Sequence, residues 1–166
     1  MTTLTLSVNG STRRVTTEDR TLLVDLLRGP LGLTGTHVGC DTSQCGACVV
    51  RLNGETVKSC SVLAATLDDG AMVETIEGVA SDGALHPMQQ AFSECHALQC
   101  GFCTPGFVIT AIDMAERHPE GLSAAIVRAE LKGNLCRCTG YQNIVAAVLQ
   151  GAAAMGVPVP EREVSQ

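Results

Sequence analysis

An α+β domain followed by an all-α domain is the architecture this sequence predicts. Three observations carry it. Strand-like alternation with two Asn-Gly turns fills the first half, helical periodicity fills the second, and each half holds its own group of four cysteines. The 166 residues leave room for one ordinary domain or two small ones. Hydrophobic residues make up 45% of the chain but aromatics only 2%, and 17 glycines accompany many alanines. A core of such small side chains packs closely yet buries little area per residue. Bound metal is the expected supplement, because a site absent from the unfolded chain adds its binding free energy to folding.

In the first half, residues 3–8 alternate polar and apolar, Asn9-Gly10 is a strong hairpin turn, and residues 11–16 return as the second strand. Leu22, Leu23, Leu26 and Leu27 fall at helical spacing within residues 21–28, and Gly29-Pro30 stops that helix. Asn53-Gly54 joins residues 47–52 to 56–60 in a second hairpin, and residues 71–76 supply a last strand. The α+β domain so defined covers residues 1–78. Residues 79–85 are small and polar and read as a linker. Helices follow at residues 87–97, 105–117, 123–131 and 141–155, with Pro87 and Pro105 in first turns and Ser123 as an N-cap. They make a helical domain of residues 86–155. The tail, residues 156–166, carries Pro158, Pro160 and alternating charges and is expected to be extended and flexible.

A net charge of −6 with scattered Lys and Arg argues against a nucleic-acid partner. No apolar stretch reaches the roughly 18 residues that span a bilayer, so no transmembrane segment is expected. The first residues show no basic region followed by an apolar one, which points to a cytoplasmic protein. In a reducing compartment nine cysteines read as metal ligands rather than disulfides.

Cys40, Cys45, Cys48 and Cys60 form the first group. The spacing C-x4-C-x2-C with a later fourth cysteine is the plant-type ferredoxin arrangement for a [2Fe–2S] cluster. Gly39, Gly46 and Ala47 suit a loop folded around inorganic sulfur, since a missing or small Cβ lets amide N–H groups approach and donate. Zinc fits poorly, because its ligands come in two separated pairs. Cys100, Cys103, Cys136 and Cys138 form the second group, one pair opening the helix at Pro105 and the other just before the helix at Tyr141. Helix N-termini favour thiolates and anionic groups. C-x2-C with C-x-C is less diagnostic by itself, and tetrathiolate zinc remains open at this motif alone. Beside the ferredoxin-type loop, a second [2Fe–2S] cluster is the better reading. Cys95 is left over as a small buried hydrophobe within a helix. His37 reads as a loop hydrogen-bonder, because a Rieske centre needs two histidines. Phe102 and Tyr141 read as packing residues beside the second cluster.

The segments Gly39-Cys40-Asp41-Thr42-Ser43-Gln44-Cys45-Gly46-Ala47-Cys48, Leu98-Gln99-Cys100-Gly101-Phe102-Cys103-Thr104-Pro105-Gly106 and Gly133-Asn134-Leu135-Cys136-Arg137-Cys138-Thr139-Gly140-Tyr141 closely resemble the small [2Fe–2S] subunit of molybdenum hydroxylases, the xanthine oxidase family. The likeness is nearest to the carbon monoxide dehydrogenase type. It implies a β-grasp plant-type ferredoxin domain followed by a four-helix bundle. It also implies a large subunit holding molybdopterin in its cytosine dinucleotide form, a medium subunit holding FAD, and a dimer of such heterotrimers. Electrons would pass from molybdopterin to the Cys100, Cys103, Cys136 and Cys138 cluster, then to the Cys40, Cys45, Cys48 and Cys60 cluster, then to FAD. Gln99 and Cys138 match family positions that touch the pterin. No catalytic residue is expected in this chain, whose role is to hold and tune cofactors for an oxidoreductase complex. A free-standing ferredoxin-like carrier and a zinc-stabilised interaction module are the competing classes. The second cluster argues against the first of these, and a visible absorption spectrum discriminates the other. The substrate of the complex (carbon monoxide, an N-heterocycle or an aldehyde) is a property of the large subunit.

Overall fold

The computed structural model describes residues 1–160. A five-stranded mixed sheet is built from β1 (Thr2–Val8), β2 (Ser11–Thr17), β3 (Val49–Leu52), β4 (Glu55–Lys58) and β5 (Met72–Glu74), in the order β2-β1-β5-β3-β4. The β1 and β5 pair is parallel and the other three pairs are antiparallel. Both hairpins turn where Asn-Gly stands. Asn9 and Gly10 have φ of 49° and 75°, and Asn53 and Gly54 have 51° and 90°. Two positive φ angles in a two-residue loop match the right-handed twist of the flanking strands. The alternation in β1 turns Leu4, Leu6 and Val8 inward, where they meet Leu23, Leu26 and Leu27 of helix α1 (Leu23–Arg28).

The helical half has a separate core. It is assembled from α3 (Pro87–Glu94), α4 (Thr104–Arg117), α5 (Ala124–Glu130) and α6 (Gln142–Ala154), with Phe92, Phe107, Met114, Val127, Ile144 and Leu149 buried together. Ser123 caps α5, its Oγ accepting the Ile126 N–H at 3.4 Å. His86 caps α3 by a reciprocal pair: its Nδ1 accepts the Met88 N–H, and Gln89 Oε1 accepts the His86 N–H. A short helix α2 (Ile76–Val79) straddles the expected boundary between the first domain and the linker, and Ile76 and Val79 pack on the helical core.

Two further departures from expectation have local causes. Helix α3 ends at Glu94, before residue 97, because His96 adopts a left-handed φ of 53° and the chain turns away. Cys95 therefore caps the helix instead of lying inside it. It is only half-buried, and its thiol donates to Gln150 Oε1 at 3.2 Å. After α6 the chain continues along the helical core: Val157 and Val159 pack on it, and the Pro158 carbonyl accepts the Leu122 N–H at 2.9 Å. The rest of the predicted tail, residues 161–166, lies outside the described residues.

The two cores meet where β3 faces α4. Arg51 on β3 bonds the Glu116 carboxylate on α4 and pairs with Glu74 on β5. At the opposite end of β3, a Cβ on Gly106 in the first turn of α4 would lie 2.2 Å from the Gly46 carbonyl oxygen. Only a glycine allows that approach, so the helix start rests directly on the first cysteine loop.

Candidate iron–sulfur site

The chain brings the eight predicted cysteines together in two sets of four, and each set consists of two close pairs. In the first set the Cys45 N–H donates to Cys40 Sγ at 3.4 Å, and the Cys48 thiol lies beside that of Cys60. Ser59 fixes the second pair, its Oγ and its N–H both donating to the Cys48 carbonyl at 2.7 and 3.3 Å. In the second set the Cys138 and Cys100 sulfurs stand 3.6 Å apart, and the Cys103 thiol lies beside that of Cys136. Cys95 belongs to neither set.

The pairs differ in exposure. Cys48 and Cys136 are buried, whereas Cys100 and Cys138 are exposed. The second set therefore has an inner pair, Cys103 and Cys136, and an outer pair at the surface. Gln99 is exposed beside that outer pair, as are Leu98 and Phe102. His37 stacks on Phe102 and its Nδ1 donates to the Phe102 carbonyl at 2.7 Å.

Backbone donors set the chemistry of the first loop. N–H groups of Cys45, Thr42 and Gln44 point at Cys40, together with the Cys45 thiol, and hold its thiol down at about 6. Burial acts oppositely on the inner thiols, pushing Cys48 up to about 11 and Cys103 up to about 12. Cys136 is also penalised by burial, but the Thr139 hydroxyl and the Thr139 and Cys138 N–H groups outweigh it, and its thiol is lowered. A bound cationic centre reverses the burial penalty, because it stabilises thiolate directly.

The donor set fits an iron–sulfur centre: all donors are cysteine sulfurs, the soft ligands that such chemistry uses. Two pairs side by side are what two irons sharing four thiolates require. Beside Cys40 and Cys45 a cavity of about 640 Å³ opens, bounded on its far side by Asn134, Leu135 and Tyr141.

The two loops touch. The Leu135 N–H donates to the Cys45 carbonyl at 2.8 Å, so one hydrogen bond links a cysteine of the first set to the residue preceding Cys136. Tyr141 does more than pack. Held at a left-handed φ of 71°, its hydroxyl accepts the Cys136 N–H at 3.0 Å and donates to the Asn134 carbonyl at 3.2 Å. Sequence reasoning also passed over Asn134 and Lys58. Asn134 is 6% exposed, with its Nδ2 against Gly46. Lys58 Nζ donates to the Ser43 and Gln44 carbonyls at 2.8 and 3.1 Å. The one available signal for Lys58 was its place two residues before Cys60.

Two cysteine tetrads on a sheet-and-helix scaffold define an iron–sulfur protein, and comparison with known proteins agrees. Residues 6–76 match the model of the 2Fe-2S iron-sulfur cluster binding domain, and residues 75–149 match that of the [2Fe-2S] binding domain. The chain is 49% identical over 146 residues to the 6-hydroxypseudooxynicotine dehydrogenase complex subunit beta of Paenarthrobacter nicotinovorans, covering 88% of this chain and 91% of that protein. It is 41% identical over 148 residues to the xanthine dehydrogenase iron-sulfur-binding subunit of Escherichia coli O157:H7, covering 89% and 92%. Among solved structures, quinoline 2-oxidoreductase from Pseudomonas putida 86 superposes with a TM-score of 0.88 at 39% identity, over 94% of this chain and 95% of that one. The chain belongs to the small iron–sulfur subunits of the molybdenum hydroxylase family. It is thus a component of an oxidoreductase complex. Among the described residues no helix is long and apolar enough to cross a membrane.

Proposed function

We propose that this chain is the electron-transfer subunit of a molybdenum hydroxylase, relaying electrons from molybdopterin to FAD through two [2Fe–2S] clusters. One observation carries the reading. The cysteines stand in close pairs within each loop region, and the Leu135 N–H to Cys45 carbonyl bond joins the two loops directly. The clusters, when bound, supply one-electron redox chemistry. The chain's own residues do the rest. Cys40, Cys45, Cys48 and Cys60 hold the first cluster in a plant-type ferredoxin domain of β-grasp form, residues 1–78. Cys100, Cys103, Cys136 and Cys138 hold the second in a four-helix bundle, residues 86–155.

Exposure supports an orientation. The outer pair of the second tetrad, with Gln99 beside it, lies at the surface, where a pterin on a large subunit can reach Gln99 and Cys138. The first tetrad is then the station nearer FAD on a medium subunit. Burial of Cys48 and Cys136 keeps water from the inner sides of both sites. Backbone N–H groups on Cys40 and on Cys136 stabilise the negative charge that reduction adds. Assembly as a dimer of heterotrimers in the cytoplasm, with molybdopterin as its cytosine dinucleotide, completes the reading.

Isolation of the tagged chain from its native host tests it. Molybdenum, flavin and two larger polypeptides are expected in stoichiometric amounts with the chain. Recovery of an iron-loaded chain alone would favour the free-standing carrier instead.

A further inference from the structure

We propose that Lys58 is a positioning residue for the first cysteine tetrad: its ammonium holds and polarises two adjacent peptide groups, one of which donates its N–H to Cys40. The inference rests on the iron–sulfur reading of that tetrad and concerns how its reduction potential is set.

The geometry follows from peptide planarity. In a trans peptide the C=O and the N–H point in opposite directions. The Ser43 carbonyl belongs to the same peptide group as the Gln44 N–H, and the Gln44 carbonyl to the same group as the Cys45 N–H. Lys58 Nζ donates to both carbonyls, at 2.8 and 3.1 Å. On the opposite side the Cys45 N–H donates to Cys40 Sγ at 3.4 Å, and by the same planarity the Gln44 N–H points away from the ammonium. One cation thus grips two adjacent peptides from behind while the amide end of the second is presented to Cys40.

Three features make this more than a surface lysine. Lys58 is half-buried at the end of β4, and both of its contacts are carbonyls. Among the described residues it has no carboxylate partner, so its charge is not neutralised locally. The strand that carries it leads directly into the turn bearing Cys60, whose sulfur lies 3.5 Å from the Ser43 hydroxyl. The ammonium therefore sits behind the loop from Cys40 to Cys45 and beside the fourth ligand. A hydrogen bond to a carbonyl strengthens the donor at the other end of the same peptide. An unneutralised positive charge also favours the reduced, more negative centre. Both effects raise the potential of the first site.

The test is a redox titration of the full chain, monitored by EPR, for wild type, Lys58→Met and Lys58→Arg. Iron per chain is measured alongside, and the two signals are assigned with Cys45→Ser and Cys103→Ser. Lys58→Met removes charge and donors together. The reduced-to-oxidised ratio of the first site at fixed poise is expected to fall about tenfold, which is ~59 mV for a one-electron couple. The second site is expected to move less, and Lys58→Arg to stay nearer wild type than Lys58→Met. If Lys58→Met does not retain its first-site iron, Lys58→Gln, which keeps a donor without the charge, takes its place in the same comparison. Unchanged first-site potential in an iron-replete neutral variant would overturn the proposal, and so would equal shifts at both sites. A wild-type chain without iron would overturn the iron–sulfur reading and this inference with it, whereas the preceding outcomes overturn this inference alone.

Discussion

A Cβ at Gly46 would lie 2.5 Å from the Gly133 carbonyl oxygen and 2.8 Å from Asn134 Nδ2, and φ there is +73°. Two independent constraints therefore demand glycine where the cysteine loops press together. Gly46→Ala has to bear about 1–2 kcal/mol for the left-handed backbone alone, before the clash is relieved. Its expected outcome is loss of first-site iron, read as iron per chain and as reduced visible absorption. Tyr141 offers a finer probe. Tyr141→Phe keeps the ring against Phe107 but removes the hydroxyl that serves Cys136 and Asn134. A loss of about 1–2 kcal/mol in unfolding free energy is expected from denaturant titration, with iron content retained. At this scale the cysteine spacings were legible in the sequence, and the second group drew its expected role from the first, with Cys95 left over. Lys58, Asn134 and the Tyr141 hydroxyl were not. Each acts through a contact made across the chain or across a turn, and beyond the nearness of Lys58 to Cys60 no local pattern announces it.

Among the elements, the hairpins were the most readable, because Asn-Gly dictates both turn type and register. The expected hairpin strands at residues 3–8, 11–16 and 47–52 lie within two residues of β1, β2 and β3. Helix α2 was hidden, since its four residues are too few to display a period, and they fold by packing Ile76 and Val79 on the helical core. The join between α4 and α5 carries a pH-dependent prediction. Arg117 bonds Asp113 on its own helix and Glu130 on α5, and His118 Nε2 also meets Glu130. Burial raises the Glu130 carboxyl, but Arg117 and then His118 outweigh it and leave it below its ordinary value of 4.5. A depressed carboxylate contributes stability that is present above the unfolded-state value and lost as pH falls through the folded one. Glu130→Gln is therefore expected to cost about 0.5–1 kcal/mol near neutral pH. The gap to wild type should close as pH drops below 4.5. Unfolding midpoints measured across that range check it, and a gap that widens in acid would contradict the assignment.

The whole molecule consists of two hydrophobic cores joined along β3 and α4, with the cysteine loops at one end of the seam and the Arg51–Glu116 pair towards the other. Neither core is rich in aromatic side chains, in keeping with an aromatic content of 2%. Metal held at the seam is thus expected to matter for stability as well as for electron transfer. Stripping iron with a chelator under reducing conditions should lower the thermal midpoint. Each kcal/mol lost corresponds to about 2–4 °C at this chain length. The division into a strand-rich and a helical half was legible from the change of hydrophobic period. That the halves are pressed together through Gly46, Gly106 and Gly133 was not, because a glycine chosen for close approach looks like any other in one sequence. The central claim, two [2Fe–2S] clusters on eight named cysteines, is tested most directly by iron and acid-labile sulfide analysis with EPR spin quantitation of the reduced protein. About four irons, about four sulfides and two signals of roughly one spin each are expected per chain. A colourless protein containing zinc, or about two irons with one signal, would contradict it.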